Sequence, residues 1–272
     1  MSGEPGRPPA KAAPPYLAHL LGSAFREAQE DRLQRHIREA PLPQHLAIIM
    51  DGNRRFAKDH GMLVVQGHER GRDKLEELLN WCLEIGLKIM TVYALSTENL
   101  ARPKEELEPL MQLFTRAFND IAVDERVHRH RIRVRAFGNR TALPSELVEA
   151  IDRAETATKG YDGHYYNVAI AYGGREEILQ AIREIAEEVA AGKVQPAQIT
   201  PGMVSRHLYT ADLPDPDLVF RTSGEERISN FLLWQTAYSE LYFADVFWPG
   251  LTKLEFLKAI YDYQRRRRRY GV

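Results

Sequence analysis

Beyond Pro43 the chain alternates short runs of consecutive apolar residues with longer stretches whose apolar side chains recur every three or four positions. Short continuous runs suit strands buried on both faces, and the wider spacing lays one apolar stripe along a helix. Strands are predicted at 45–50, 88–95, 131–137, 164–171 and 217–221, with a sixth near 241–247. Helices are predicted at 70–85, where Leu75, Leu78, Leu79 and Leu83 share a face, and at 104–128, after Arg102-Pro103. Further helices are predicted at 144–158, opened by Pro144, at 174–191, stopped before Gly192, and at 252–269, where Thr252 and Glu255 have capping-box spacing. Alternating strands and helices predict the α/β class: a single domain with a central, mainly parallel β-sheet surrounded by helices. With no internal repeat and no linker after residue 43, residues 43–272 form one predicted catalytic-sized domain.

The segment before it is different. Residues 1–15, rich in Pro, Gly and Ala, are predicted to be a disordered tail. Residues 16–42 read as a helical extension, with Leu17, Leu20, Leu21, Phe25, Leu33 and Ile37 punctuating charged residues. Such a stripe either lies on a membrane or packs against its own domain or a second subunit, and packing is the expectation.

Composition narrows the function classes. A formal net charge of -1 removes any bulk electrostatic case for nucleic acid, so affinity for anions must be local. The single cysteine, Cys82, allows no internal disulfide, favours a reducing, cytoplasmic setting and reads as a small core residue. No apolar run approaches the ~20 residues that cross a bilayer. There is no GxxxxGK[ST], GxGxxG, Cys/His metal spacing, Gly-x-Ser-x-Gly or DDxxD pattern.

The chemistry sits at strand ends. The apolar run 45–50 stops at Asp51, followed by Gly52, Asn53, Arg54, Arg55 and Phe56. A carboxylate, a glycine turn and two fixed cations together suit a metal ion and a phosphorylated substrate, whereas a purely structural Asp-Gly turn needs no cations. Ser96, Thr97, Glu98, Asn99 and Arg102 follow the second predicted strand, either as a polar lip or as helix-capping residues. Arg221, Arg227 and Ser229 follow the fifth; the alternative there is a loop tied down by Glu225 and Glu226. His68 is a candidate donor, and Glu240 is a carboxylate among apolar residues that needs a partner. Asp215-Pro216-Asp217 reads as a loop, His128 and His130 as a helix end, and the Arg265–Arg269 run as a helix's last turn or a contact for anionic lipid. In open parallel sheets ligands collect beyond the carboxyl ends of the strands, so these clusters are expected to converge.

Together these segments resemble the cis-prenyltransferases, the undecaprenyl and dehydrodolichyl diphosphate synthases. The resemblance is carried by Ile48-Ile49-Met50-Asp51-Gly52-Asn53, Gly67-His68, Val92-Tyr93-Ala94-Leu95-Ser96-Thr97-Glu98-Asn99 and Arg102-Pro103. It continues through Asn167 to Arg175, Arg221 to Glu225, Arg227 to Gln235 and Glu240 to Phe243. It implies a homodimer, a hydrophobic tunnel for a growing chain, and sequential condensation of isopentenyl diphosphate onto an allylic diphosphate with Mg²⁺. Asp51 matches the family's essential carboxylate and Mg²⁺ ligand, Glu240 a second ligand, and Asn99 a position that assists proton removal. Gly52, Asn53, Arg54, Arg55, Phe56 and His68 match the allylic diphosphate cradle. Arg221, Arg227, Ile228 and Ser229 match the isopentenyl diphosphate grip, while Ser96, Thr97, Glu98 and Arg102 line the same opening.

Departures from the common bacterial pattern are Arg54 for glycine, Phe56 and Leu100 for tryptophan, Leu95 for phenylalanine, Val64 for an arginine and Glu226 for a histidine. Paired Arg54 and Arg55 resemble the archaeal and eukaryotic branches, which brings geranylgeranyl diphosphate beside farnesyl diphosphate as primer. A lipid product also implies transient, peripheral membrane contact. The rival readings are a non-catalytic partner subunit of the same fold and an unrelated phosphate-handling α/β enzyme.

Overall fold

A computed structural model describes residues 15–266, with side chains from Phe25 onward. The predicted tail at 1–15 and the end of the arginine run therefore fall almost wholly outside the described residues.

Six parallel strands form one sheet in the order β3-β4-β2-β1-β5-β6. They are β1 (His45–Ile49), β2 (Ile89–Tyr93), β3 (Ile132–Phe137), β4 (His164–Ala169), β5 (Leu218–Arg221) and β6 (Glu240–Phe243). All five residues of β1 are buried, as a central strand covered on both faces requires. The longer helices are α1 (Pro15–Arg38), α3 (Val64–Ile85), α4 (Lys104–Ile121), α6 (Ser145–Thr158), α7 (Gly174–Ala190) and α9 (Lys253–Arg265).

Three short helices were not anticipated. The turn after Asp51 continues into α2 (Asn53–Asp59), and Thr200, whose side chain accepts from the Met203 N–H, caps α8 (Pro201–Arg206). The predicted 104–128 helix is two helices. The Asp124 side chain accepts from the Arg126 N–H and caps α5 (Glu125–Arg129), giving the chain a local alternative to continuing α4. The helix predicted at 70–85 begins six residues earlier, where the Leu63 N–H donates to Gln66 Oε1. At α9 the Thr252–Glu255 capping box forms as its spacing predicts.

The main core lies between one face of the sheet and helices α3, α4, α6 and α9. A smaller cluster on the other face gathers Phe137, Tyr172, Phe231 and Leu232. Helix α1 runs along α9: Ile37 is fully buried, and Gln264 Nε2 donates to the Ile37 and Ala40 carbonyls at 2.9 Å. The extension thus packs on its own domain, although Phe25 remains exposed. Cys82 is a buried core residue. Asp217 is structural, its Oδ2 accepting from the Gln44 and His45 N–H groups at 2.6 and 3.0 Å.

Helix α3 reaches the sheet's carboxyl edge by close approach at two glycines. A Cβ on Gly67 would fall 2.5 Å from the Asn53 carbonyl oxygen, and one on Gly71 would fall 2.4 Å from Asn53 Oδ1. Trp248 Nε1 donates to the Gly71 carbonyl at 2.7 Å, fixing α3 beside the loop that follows β1.

Candidate active site

The carboxyl ends of β1 and β5 are neighbours, with Ile49 opposite Arg221 in register. That register sets Asp51 against the loop that begins at Thr222. The Asp51 N–H donates to Thr222 Oγ1 at 3.0 Å, and that hydroxyl donates to the Asp51 carbonyl at 2.7 Å. The carboxylate itself is clamped between cations: Arg221 Nη2 lies 2.7 Å from Oδ2, and Arg55 Nη2 lies 3.1 Å from Oδ1. Burial pushes the Asp51 pKa up. The hydrogen bonds from Arg221 and Ser223, with the charges of Arg221 and Arg55, outweigh it and hold the group below the ordinary carboxylate range. Asp51 is therefore an anion at neutral pH.

Arg221 is almost fully buried and also donates to Ser229 Oγ at 2.7 Å and to the Arg227 carbonyl. Arg55 donates to Ser223 Oγ at 2.7 Å and to Glu225 Oε1 at 3.2 Å. The connection that carries these partners bends through left-handed backbone at four non-glycine residues, Ser223, Ser229, Asn230 and Leu232. Such strain persists only where surrounding contacts over-determine it. Gly52, with φ 107°, turns the chain after β1, where a Cβ would lie 2.7 Å from Phe247 Cδ1.

Facing this group across the opening stands a second polar set. Arg102 Nη1 lies 2.9 Å and His68 Nε2 3.6 Å from Glu106 Oε1. Burial, followed by the charge of Arg102, lowers the His68 pKa and favours neutral imidazole. Asn230 Nδ2 donates to Glu98 Oε1 at 2.9 Å, tying the loop after β2 to the loop after β5. Burial opposes ionisation of Glu98, yet its own N–H with Ser96, Asn230 and Thr97 as donors lowers its pKa.

Part of this group opens onto a cavity of about 710 Å³, while Arg55 and Glu106 stand behind the lining and reach it through Asp51 and Arg102. Asp51, Asn53, His68, Ser96, Glu98, Asn99, Arg102, Arg221 and Ser229 all line it. Its depth is apolar, walled by Leu75, Val92, Leu95, Leu110, Phe114 and Phe118. Three buried polar atoms of its lining residues have no hydrogen-bond partner among the described residues: Asn53 Oδ1, His68 Nε2 and Arg221 Nε. Buried polar atoms are almost always satisfied, so two donors and an acceptor left open here suit a polar, anionic guest.

The chain matches the prenyltransferase family profile described as undecaprenyl diphosphate synthase, over residues 49–271. This chain belongs to the undecaprenyl diphosphate synthase family of prenyltransferases. It is 53% identical over 239 residues to the tritrans,polycis-undecaprenyl-diphosphate synthase (geranylgeranyl-diphosphate specific) of Methanopyrus kandleri, covering 88% of each chain. It is 49% identical to an isoprenyl transferase of Thermus thermophilus, covering 89% of this chain and 94% of that one. Among solved structures it is similar to lavandulyl diphosphate synthase from Lavandula x intermedia in complex with dimethylallyl diphosphate. The TM-score is 0.82 at 36% identity, covering 85% of this chain and 99% of that one.

Within this prenyltransferase several expected site residues stand away from the cavity lining. Arg54 is exposed at the outer edge, its Nε 3.7 Å from Glu106, and Phe56 stacks on His60 with ring centroids 4.0 Å apart. Arg227 points outward and pairs with Glu225, Ile228 packs on the small aromatic cluster, and Thr97 lines a different groove. Glu240 is not brought to Asp51. It opens β6 opposite Leu218, three residues before the level of Arg221, hence about 10 Å back along the strands. There it accepts from Arg266 at 3.0 Å.

The sequence reading also passed over Glu106, Arg175 and Asn230. Arg175 and Asn230 line the mouth, and Glu106 anchors both His68 and Arg102. Only the i,i+4 spacing of Arg102 and Glu106 offered a signal for the last.

Proposed function

We infer that this chain condenses isopentenyl diphosphate repeatedly onto an allylic diphosphate, with geranylgeranyl diphosphate as primer, to make a long-chain polyprenyl diphosphate. The observation that carries this reading is the join itself: a cationic mouth with unsatisfied donors opens directly onto an apolar cavity. One end suits diphosphate and the other suits hydrocarbon. The primer follows from the curated relatives specific for geranylgeranyl diphosphate.

A Mg²⁺ ion fits the donor set at Asp51. The carboxylate is kept ionised, and Mg²⁺ typically takes one or two carboxylates plus substrate phosphates. Among the described residues no three acidic, His or Cys side chains are grouped so as to hold a metal ion by themselves. Asp51 is the ligand that the chain's own geometry supports; Glu240, held by Arg266, does not join it within one chain. When bound, the ion supplies Lewis-acid stabilisation of the departing diphosphate.

The rest falls to the protein. Arg55 and Arg221 hold negative charge on the diphosphates, with Ser229 and His68 as further donors. Asn99, uncharged at the mouth, orients the carbon that loses its proton without competing as a nucleophile. The apolar wall keeps water from the allylic cation. Each added five-carbon unit gains about 4 kcal/mol at ~0.8 per buried methylene, so the product is held ever more tightly against release into water. Release into lipid, and hence transient membrane contact, belongs to the proposal, as does a homodimer. No helix among the described residues is long and apolar enough to cross a membrane.

The test is incubation with radiolabelled isopentenyl diphosphate, Mg²⁺ and either geranylgeranyl or farnesyl diphosphate, followed by chromatography of the products. A ladder of polyprenyl diphosphates from the first primer is expected. No incorporation with any primer would sink the activity and favour a non-catalytic partner subunit.

A further inference from the structure

Glu225 has no part in the condensation chemistry, yet it occupies a cation on which that chemistry depends. It lies in the connection after β5, on an anchored backbone. The Ser223 N–H donates to the Val246 carbonyl at 2.7 Å and the Gly224 N–H to the Ala244 carbonyl at 2.9 Å, which pins the turn to the segment after β6. Gly224 has φ 70°, and a Cβ there would fall 2.9 Å from Asp245 Oδ1.

From this turn the Glu225 side chain meets a guanidinium at each oxygen. Oε1 accepts from Arg55 Nη1 at 3.2 Å, and Oε2 accepts from Arg227 Nη1. The other terminal nitrogen of Arg55, Nη2, is committed to Asp51 at 3.1 Å and to Ser223 at 2.7 Å. Nη1 is thus the terminal nitrogen left for a diphosphate oxygen, and Glu225 covers it. A carboxylate that sets one oxygen on each of two guanidinium groups makes the contacts a phosphate group would make there. It makes them weakly. The side chains of Arg55, Glu225 and Arg227 are 42%, 31% and 62% exposed, and exposed pairs contribute little each and are screened by salt. A diphosphate carries more charge and more acceptor oxygens, so it displaces the carboxylate.

We propose that Glu225 is an internal counter-anion that competes with diphosphate for Arg55. It yields the arginine when substrate binds and takes it back as pyrophosphate leaves. The inference rests on the prenyltransferase reading and deepens it. Each condensation leaves one inorganic pyrophosphate on the cations that stabilised its departure. With cations alone, the mouth would hold that product tightly and delay the next round. A carboxylate within reach of the same guanidinium lowers the affinity and gives Arg55 a partner once the pyrophosphate has gone. Glu225 touches Arg55 and not the reacting atoms, so it is a positioning residue.

The test is isothermal titration calorimetry of the full chain with inorganic pyrophosphate and Mg²⁺, without allylic substrate. Glu225→Gln keeps the shape and removes the charge, and should bind pyrophosphate about three- to tenfold more tightly than the wild type. Glu225→Asp keeps the charge and should stay close to the wild type. Loss of a purely structural residue would not tighten binding. Unchanged affinity in Glu225→Gln overturns the proposal. Weaker affinity also overturns it, because Glu225 would then be holding Arg55 in place for the diphosphate. Equal tightening in both variants overturns it as well, since charge would not be the cause. The titration needs no turnover. Affinities in the expected order from a chain that makes no polyprenyl product support the counter-anion and reject the condensation reading alone.

Discussion

The mouth and the far end of the cavity are built on opposite principles. At the mouth, Asp51, Arg55 on α2 and Arg221 at the end of β5 are held by several partners each, beside loops that bend through left-handed backbone. At the far end, helices α3, α4 and α5 meet through exposed ion pairs over a small apolar gap. A site for charge transfer requires fixed dipoles, because reorganisation during reaction costs rate. A site for a hydrocarbon tail requires apolar surface. Polar ties are thus concentrated where charge develops, and apolar side chains where hydrocarbon is held.

The sharpest way to break this contrast is Asp51→Ala. Turnover should fall by about 10²- to 10³-fold, as when one electrostatic partner is removed from a preorganised site, while the sheet stays folded. Steady-state kinetics with a circular dichroism control check it, and near-normal turnover would reject the role given to Asp51.

Next in size is a pH effect that originates away from both regions. Burial lowers the His45 pKa from 6.5 to about 4, so the folded chain refuses a proton that the unfolded chain accepts. This stabilisation is complete above pH 6.5, declines as pH falls, and levels off below about 4. It amounts to about 3 kcal/mol at ~1.4 per pKa unit. Urea unfolding at pH 7 and pH 4 should show a smaller loss in His45→Gln than in the wild type; equal losses would remove His45 from the account.

A smaller change separates the mouth from its scaffold. Trp248→Phe deletes the hydrogen bond to the Gly71 carbonyl, which holds α3 against the site. The Gly71 carbonyl keeps its helical N–H donor, so a loss of about 0.5–1.5 kcal/mol is expected from the one hydrogen bond removed, read by chemical denaturation. Least of all, Arg54→Ala removes an exposed cation 3.7 Å from Glu106 and should shift stability by about 0.5 kcal/mol or less. Its effect on turnover should be far below that of Arg55→Ala. Equal losses from the two arginines would show that the outer edge belongs to the mouth.

Much of the site was legible because strand ends carry their chemistry in consecutive residues. Asp51 and Arg221 each follow an apolar run whose length and ending predict a buried parallel strand, and the register then sets them side by side. Asn230 and Glu106 were not legible in this way, because their importance lies in partners far along the chain: Glu98 for one, His68 for the other. Glu240 shows the reverse. Its setting among apolar residues called for a partner, and the fold supplied Arg266 from just beyond α9 rather than the site around Asp51. The break between α4 and α5 was hidden because apolar spacing continues across it, while Asp124 caps a new helix.

Hydrophobic periodicity alone determined the fold class, the strands, most of the helices and the strand ends that carry charge, because each of these depends on neighbours within a few residues. Which polar residues face one cavity, which are spent on structural ties such as Asp217, and how the far end is closed were decided only by tertiary structure. Those outcomes depend on distances between segments far apart along the chain, and no local pattern encodes such distances.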